Sequence, residues 1–124
     1  MKTFEIQIQR KAEADREFIE AFKNAQAGKK VPAKIGVYFT SIESVRNLLT
    51  EKRLELLHMV KMKHPHSIYQ LAKLTGRNFR NVYDDVQVLK TYGLIHLNKE
   101  RRKKQRPSHS ISVPYRDINI HAWI

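Results

Sequence analysis

The amino-acid sequence predicts an α+β chain, and three observations carry that prediction. Apolar and polar residues alternate near both ends, at Phe4, Ile6 and Ile8 and again at Ile118, Ile120, Ala122 and Ile124, which is the two-residue period of half-buried strands. Between them the period becomes helical, first at Ala14, Phe18, Ala21, Phe22 and Ala25 and later at Val82, Val86 and Leu89. The third observation is punctuation. Thr50, Ser67 and Asn78 stand where helix N-caps belong, and His64-Pro65, Gly76 and Tyr92-Gly93 stand where helices end.

Taken in order, residues 4–8 read as a strand and residues 12–27 as a helix that stops at Gly28, with Lys29 to Pro32 as a connection. Residues 35–39 are apolar and partly β-branched, the pattern of a short strand. Thr40 and Glu43 have capping-box spacing and open a short helix carrying Ile42, Val45, Leu48 and Leu49. Residues 1–49 therefore form a β-α-β-α extension. The helix after Thr50 turns Leu54, Leu57 and Val60 or Met59 inward. Ser67 with Gln70 repeats the capping-box spacing and starts a short helix over residues 68–74. After the turn at Gly76, Asn78 caps a third helix. A strand over residues 94–97, a basic loop, a strand around Ile111 and Val113 and a terminal strand complete a second region, residues 50–124.

The chain has 124 residues, room for one ordinary domain and an extension. Its composition, 41% hydrophobic and 29% charged, is that of a soluble globular protein. No apolar run reaches the roughly 18 residues of a membrane span, and the first residues lack the apolar stretch of a secretory signal, so a cytoplasmic protein is expected. With no cysteine, disulfides and zinc fingers are excluded together. The net charge is +12, from 24 basic and 12 acidic residues. Residues 94–124, the shortest third, are the most basic, with seven cations against two acids. Such a balance fits a polyanionic partner, since each neutralised phosphate releases condensed counterions.

Helix, short helix, tight turn, longer helix, strand, basic loop and strand is the order of a winged helix-turn-helix. Ala72 is small where two helices approach, Gly76 permits the turn, and Val82 anchors the third helix beside Leu71. In this motif the third helix enters the major groove of double-stranded DNA. Arg80 and Asn81 suit guanine and adenine edges, with Asn78 and Tyr83 beside them; Ser67, Tyr69 and Arg77 are placed to hold phosphates. The wing carries Arg101, Arg102, Lys103, Lys104 and Arg106, five cations in six positions. Phe4, Ile6, Phe18 and Phe22 are candidates for a dimer or partner interface. His58, His64 and His66 read as helix-end and turn residues, not metal ligands. Asp84 and Asp85 diverge on their helix, and Asp85 is expected to pair with a cation. No catalytic constellation, metal site or cofactor site is expected.

Residues 49–57 and 67–78, with Asn81-Val82, Asp85-Val86 and Gly93-Leu94-Ile95, resemble small prokaryotic winged-helix regulators of the MarR/ArsR-like group. The nearest likeness is to short regulators of archaea and bacteria with a β-α extension and a Pro-Tyr-containing terminal strand, here Pro114-Tyr115. The resemblance implies sequence-specific DNA binding by a homodimer, usually as a repressor, without enzymatic activity. Some relatives are encoded beside toxin genes, which implies an antitoxin-type alternative in which the extension holds a cognate toxin. One departure concerns the third helix, where Tyr83-Asp84 stands in place of a common His-Arg pair.

Overall fold

The computed structural model describes residues 1–28, 36–100 and 108–124. In chain order its elements are β1 (Lys2–Ile8), α1 (Lys11–Gln26), β2 (Gly36–Phe39), α2 (Ile42–Leu48), α3 (Glu51–Lys63), α4 (Ile68–Thr75), α5 (Phe79–Thr91), β3 (His96–Glu100), β4 (Ser108–Ser112) and β5 (Tyr115–Ala122). The class is α+β. Among the described residues no helix is long and apolar enough to cross a membrane.

The alternation at the two ends of the chain has a shared cause. Strand β1 pairs in parallel with β5 on one edge and with β2 on the other, in the order β2-β1-β5. Phe4 lies beside Ile118 and Ile6 beside Ile120. The even-numbered residues thus share one face, because successive side chains in a strand alternate. On that face Phe4 and Ile6 are buried and Ile8 and Ile118 pack against the same core. The opposite face is polar and cross-linked: Thr3 Oγ1 donates to Asp117 Oδ1 (2.6 Å), Asn119 Nδ2 to Glu5 Oε2 (3.0 Å) and Trp123 Nε1 to Gln7 Oε1 (2.8 Å). Gly36 is what lets β2 approach, since a Cβ there would stand 2.0 Å from the Glu5 carbonyl oxygen.

The helices follow their caps. Thr50 Oγ1 accepts from the Arg53 amide, Ser67 Oγ from that of Gln70 and Asn78 Oδ1 from that of Arg80, so α3, α4 and α5 begin where expected. The Ser67–Gln70 box is displaced by one residue, because Gln70 Oε1 takes the His66 amide (2.7 Å). For α2 the cap is Ser41, not Thr40. Ser41 has the extended backbone an N-cap needs, and its hydroxyl accepts from Ser44. Helix α3 centres its buried face on Val60, between Leu56 and Leu57. Leu54, expected inside, lies about a third of a turn from that centre and is exposed.

Helix α5 drives Val82, Val86 and Leu89, all fully buried, against Leu71 and the α3 residues. The strand expected from Leu94 begins at His96. Leu94 and Ile95 are buried, and both amides bond to the Leu89 carbonyl, extending the end of α5. Strands β3 and β4 then form an antiparallel hairpin, with Leu97 beside Ile111; Val113 falls just outside it and packs on the core. Tyr115 closes the structure. Its ring meets Phe4 edge-on at 5.0 Å, and its hydroxyl donates to the Gly93 carbonyl at 3.0 Å. One hydrophobic cluster therefore joins Phe4, Ile6, Val45 and Leu48 to the helices beyond residue 50.

Candidate nucleic-acid interface

Helices α4 and α5 meet through the turn at Gly76, whose left-handed backbone (φ +65°) is favoured by glycine. Ala72 and Leu71 are buried against α5, which fixes the opposite faces of both helices toward solvent. On that outer side stands a row of aromatic rings: Tyr69 lies 6.4 Å from Phe79, and Phe79 lies 6.0 Å from Tyr83, centroid to centroid. All three are exposed. Lys73 Nζ sits 4.7 Å above the Tyr69 ring and the Arg80 guanidinium 5.9 Å from the Tyr83 ring, both in cation–π range. Asn81 is exposed on the first turn of α5.

The sequence-predicted residues divide clearly. Tyr69, Arg80 and Tyr83 share this outer surface, while Asn81, also exposed, lies on the other flank of α5, in a cleft with Arg53, Arg77, Asp84 and Asp85. Arg80 reaches Asp84 at 3.5 Å, but both side chains are more than half exposed, so the pair is weak. Ser67 and Asn78 are near but spend their side-chain oxygens on helix caps.

Arg77, expected to hold phosphate, is turned inward instead. Its Nη2 lies 2.7 Å from Asp85 Oδ2, and the other carboxylate oxygen takes Arg53 Nε at 3.1 Å. Arg53 Nη1 also donates to the Asn47 and Leu48 carbonyls at the end of α2. This half-buried Arg53–Asp85–Arg77 group ties α2, α3 and α5 together. Arg77 Nη1 is left buried without a hydrogen-bond partner.

Phe79, which the sequence offers at the start of the third helix either for packing or for contact, belongs to the surface, as does Lys73, which was not among the predicted residues. The available signal was the four-residue step from Tyr69 to Lys73, which puts both on one helical face.

The other candidates separate in the same way. Phe4 and Ile6 fill the chain's own core and are closed to any partner. Phe18 and Phe22 are exposed, 72% and 56%. The wing cations Arg101, Arg102, Lys103, Lys104 and Arg106 lie outside the described residues; β3 and β4 lead to them. Among the described residues no three His, Asp or Glu side chains gather where a metal ion would sit.

Residues 48–120 match the model of the family described as HVO_A0114, and the chain belongs to that family. The matched stretch runs from the end of α2 into β5 and omits β1, α1 and β2. No curated protein and no solved structure gave a match.

Proposed function

We propose that this member of the HVO_A0114 family is a sequence-specific regulator of transcription that binds double-stranded DNA as a homodimer, acting as a repressor in the cytoplasm. The supporting observation is the outer surface of α4 and α5, where Tyr69, Lys73, Phe79, Arg80 and Tyr83 stand together, with Asn81 exposed on the other flank of α5 and a β-hairpin following in the chain. On this reading α3, α4, α5 and the β3–β4 hairpin are a winged helix-turn-helix. Helix α5 lies in the major groove, where Arg80 reads guanine and Asn81 adenine. Tyr69, Lys73 and Ser67 lie along the phosphates, with the wing cations on the neighbouring backbone. Asp84 screens Arg80 in the free protein and releases it at little cost, because the pair is exposed. The reading assigns no catalytic residue, metal or cofactor.

The test is selection of binding sites from a random duplex library at moderate salt with competitor DNA. A two-fold symmetric motif is expected. Arg80→Ala abolishes it, with a loss of roughly 5- to 150-fold on the preferred site. The double variant Arg101→Ala/Arg102→Ala weakens binding evenly across sequences and reduces its salt dependence. Binding without an enriched motif that vanishes as salt rises would overturn the reading in favour of general double-stranded nucleic-acid binding.

A second role in the same chain is supported by α1, where Phe18, Ile19 and Phe22 are exposed together. This suits an antitoxin-type protein whose extension holds a cognate toxin. A partner that co-purifies with the native chain and is lost with Phe18→Ser/Phe22→Ser is the expected result.

A further inference from the structure

Strand β5 is the outer strand on its side of the sheet. One row of its peptide groups therefore faces away from β1, with no strand against it among the described residues. Eight residues is long for such an edge, and natural edges of this length are guarded by charged side chains, above all lysine, by proline or by a bulge. Here Tyr115–Ala122 contains neither lysine nor proline, and its two charged residues, Arg116 and Asp117, stand at its start. The only register shift lies opposite Lys2 and Thr3, so Asp117 to Ala122 form an unbroken ladder. Ile120 and Trp123, each about half exposed, flank the edge on its two faces.

We propose that this edge is the dimer interface: β5 pairs antiparallel with β5 of a second copy about a two-fold axis at Asn119, making a six-stranded sheet. The proposal rests on the dimeric reading above and adds the surface and the register. Charge selects a second copy through this edge. Two chains of +12 repel, and approach is least costly where local charge is low. From Asp117 to Ile124 there is no lysine or arginine, and Asp117 is the single acidic residue.

Hydrogen-bond complementarity selects the register, since an imidazole N–H can donate to a carboxylate. Centred on Asn119, antiparallel pairing sets Asp117 opposite the partner's His121 and Ile118 opposite the partner's Ile120. Each pair shares a face, because residues an even number apart do. A parallel in-register pairing would set Asp117 against its own copy. Asp117 already accepts from Thr3 and lies 3.6 Å from Arg116, so the partner's imidazole completes its surroundings. The contact is isologous and closed, as a two-fold requires. Since the axis runs normal to the sheet, α2 to α5 of both copies fall on one side of it.

The chain has no cysteine, so a single introduced thiol reports the axis. A residue on the axis faces its own copy at about 4.5–5.5 Å between Cα atoms, within disulfide reach. The full chain, without DNA, is measured by light scattering across a concentration series and by oxidation of cysteine variants. The native chain should have the dimer mass, and Asn119→Cys should convert to a covalent dimer while Gln26→Cys, at the end of α1, does not. Ile120→Lys, at a half-exposed site, should give the monomer mass with an unchanged far-ultraviolet spectrum. A native monomer overturns the proposal, as does a dimer in which Asn119→Cys fails to cross-link. Both readouts are free of DNA, so they separate from the selection experiment. A monomer that still enriches a half-site motif loses the strand pairing and keeps the DNA reading; a cross-linked dimer without a motif does the reverse.

Discussion

Helices α1 and α5 have the same amphipathic design and opposite fates. Each carries apolar residues on one stripe, yet α5 buries Val82, Val86 and Leu89 completely while α1 buries Ala14 and leaves Phe18 and Phe22 in solvent. The difference lies in what each helix faces. Helix α5 meets the apolar faces of α3 and α4. Helix α1 lies over the odd-numbered side of the sheet, where Glu5, Gln7 and Asn119 already bond to one another or to Trp123. No apolar layer waits there, and an open groove of about 1020 Å³ separates helix from sheet. Periodicity tells which face of a helix is apolar, and the other side of the contact decides whether that face is buried.

Substitutions can break or sharpen this contrast. The largest effect is expected at α5, where Leu89→Ala should lower unfolding free energy by about 2–5 kcal/mol in urea titration, from lost burial and a cavity. Next comes Asp85→Asn. It leaves Arg53 and Arg77 side by side without their shared carboxylate, at a cost of roughly 1–3 kcal/mol read as a lower melting temperature, less than a fully buried group would lose.

Tyr115→Phe removes the bond to the Gly93 carbonyl and should cost about 1 kcal/mol. Its pH dependence has a definite sign. Burial pushes the Tyr115 hydroxyl above its ordinary value, so the folded chain keeps the proton after the unfolded chain has lost it. The advantage over the phenylalanine variant is full below about pH 10 and shrinks as pH rises beyond it, toward the folded value. Chemical denaturation of both proteins on either side of pH 10 measures this. The smallest effect is expected at α1, where Phe18→Ser should shift stability by less than about 0.5 kcal/mol. A loss matching that of Leu89→Ala would mean α1 is anchored after all.

Features written in neighbouring residues were legible from sequence. Thr50, Ser67 and Asn78 cap their helices through amides two or three positions away, and the core positions Val82, Val86 and Leu89 follow one helical period. Features set by distant residues were not. Alternation marked β1 and β5 as strands, but their pairing joins residues more than a hundred positions apart. The same alternation left Phe4 and Ile6 equally suited to a core or an interface. Arg77 has the chemistry of a phosphate ligand, and Asp85, held by Arg53 on another helix, captures it. The exposure of Arg80 and Asn81 was readable from their type and position. Lys73 enters through its ring contact with Tyr69, which depends on side-chain direction.

The pairing of β1 with β5 also has a consequence in time. The first strand of the fold has its long partner in the last, with Phe4 beside Ile118. Translation at about 5–20 residues per second separates the two by roughly ten seconds. Over that interval α3, α4 and α5, whose contacts are close in sequence, can assemble, while Phe4 and Ile6 wait without one edge of their sheet. Sequence-local contacts therefore favour assembly of the helical layer before β1 closes against β5.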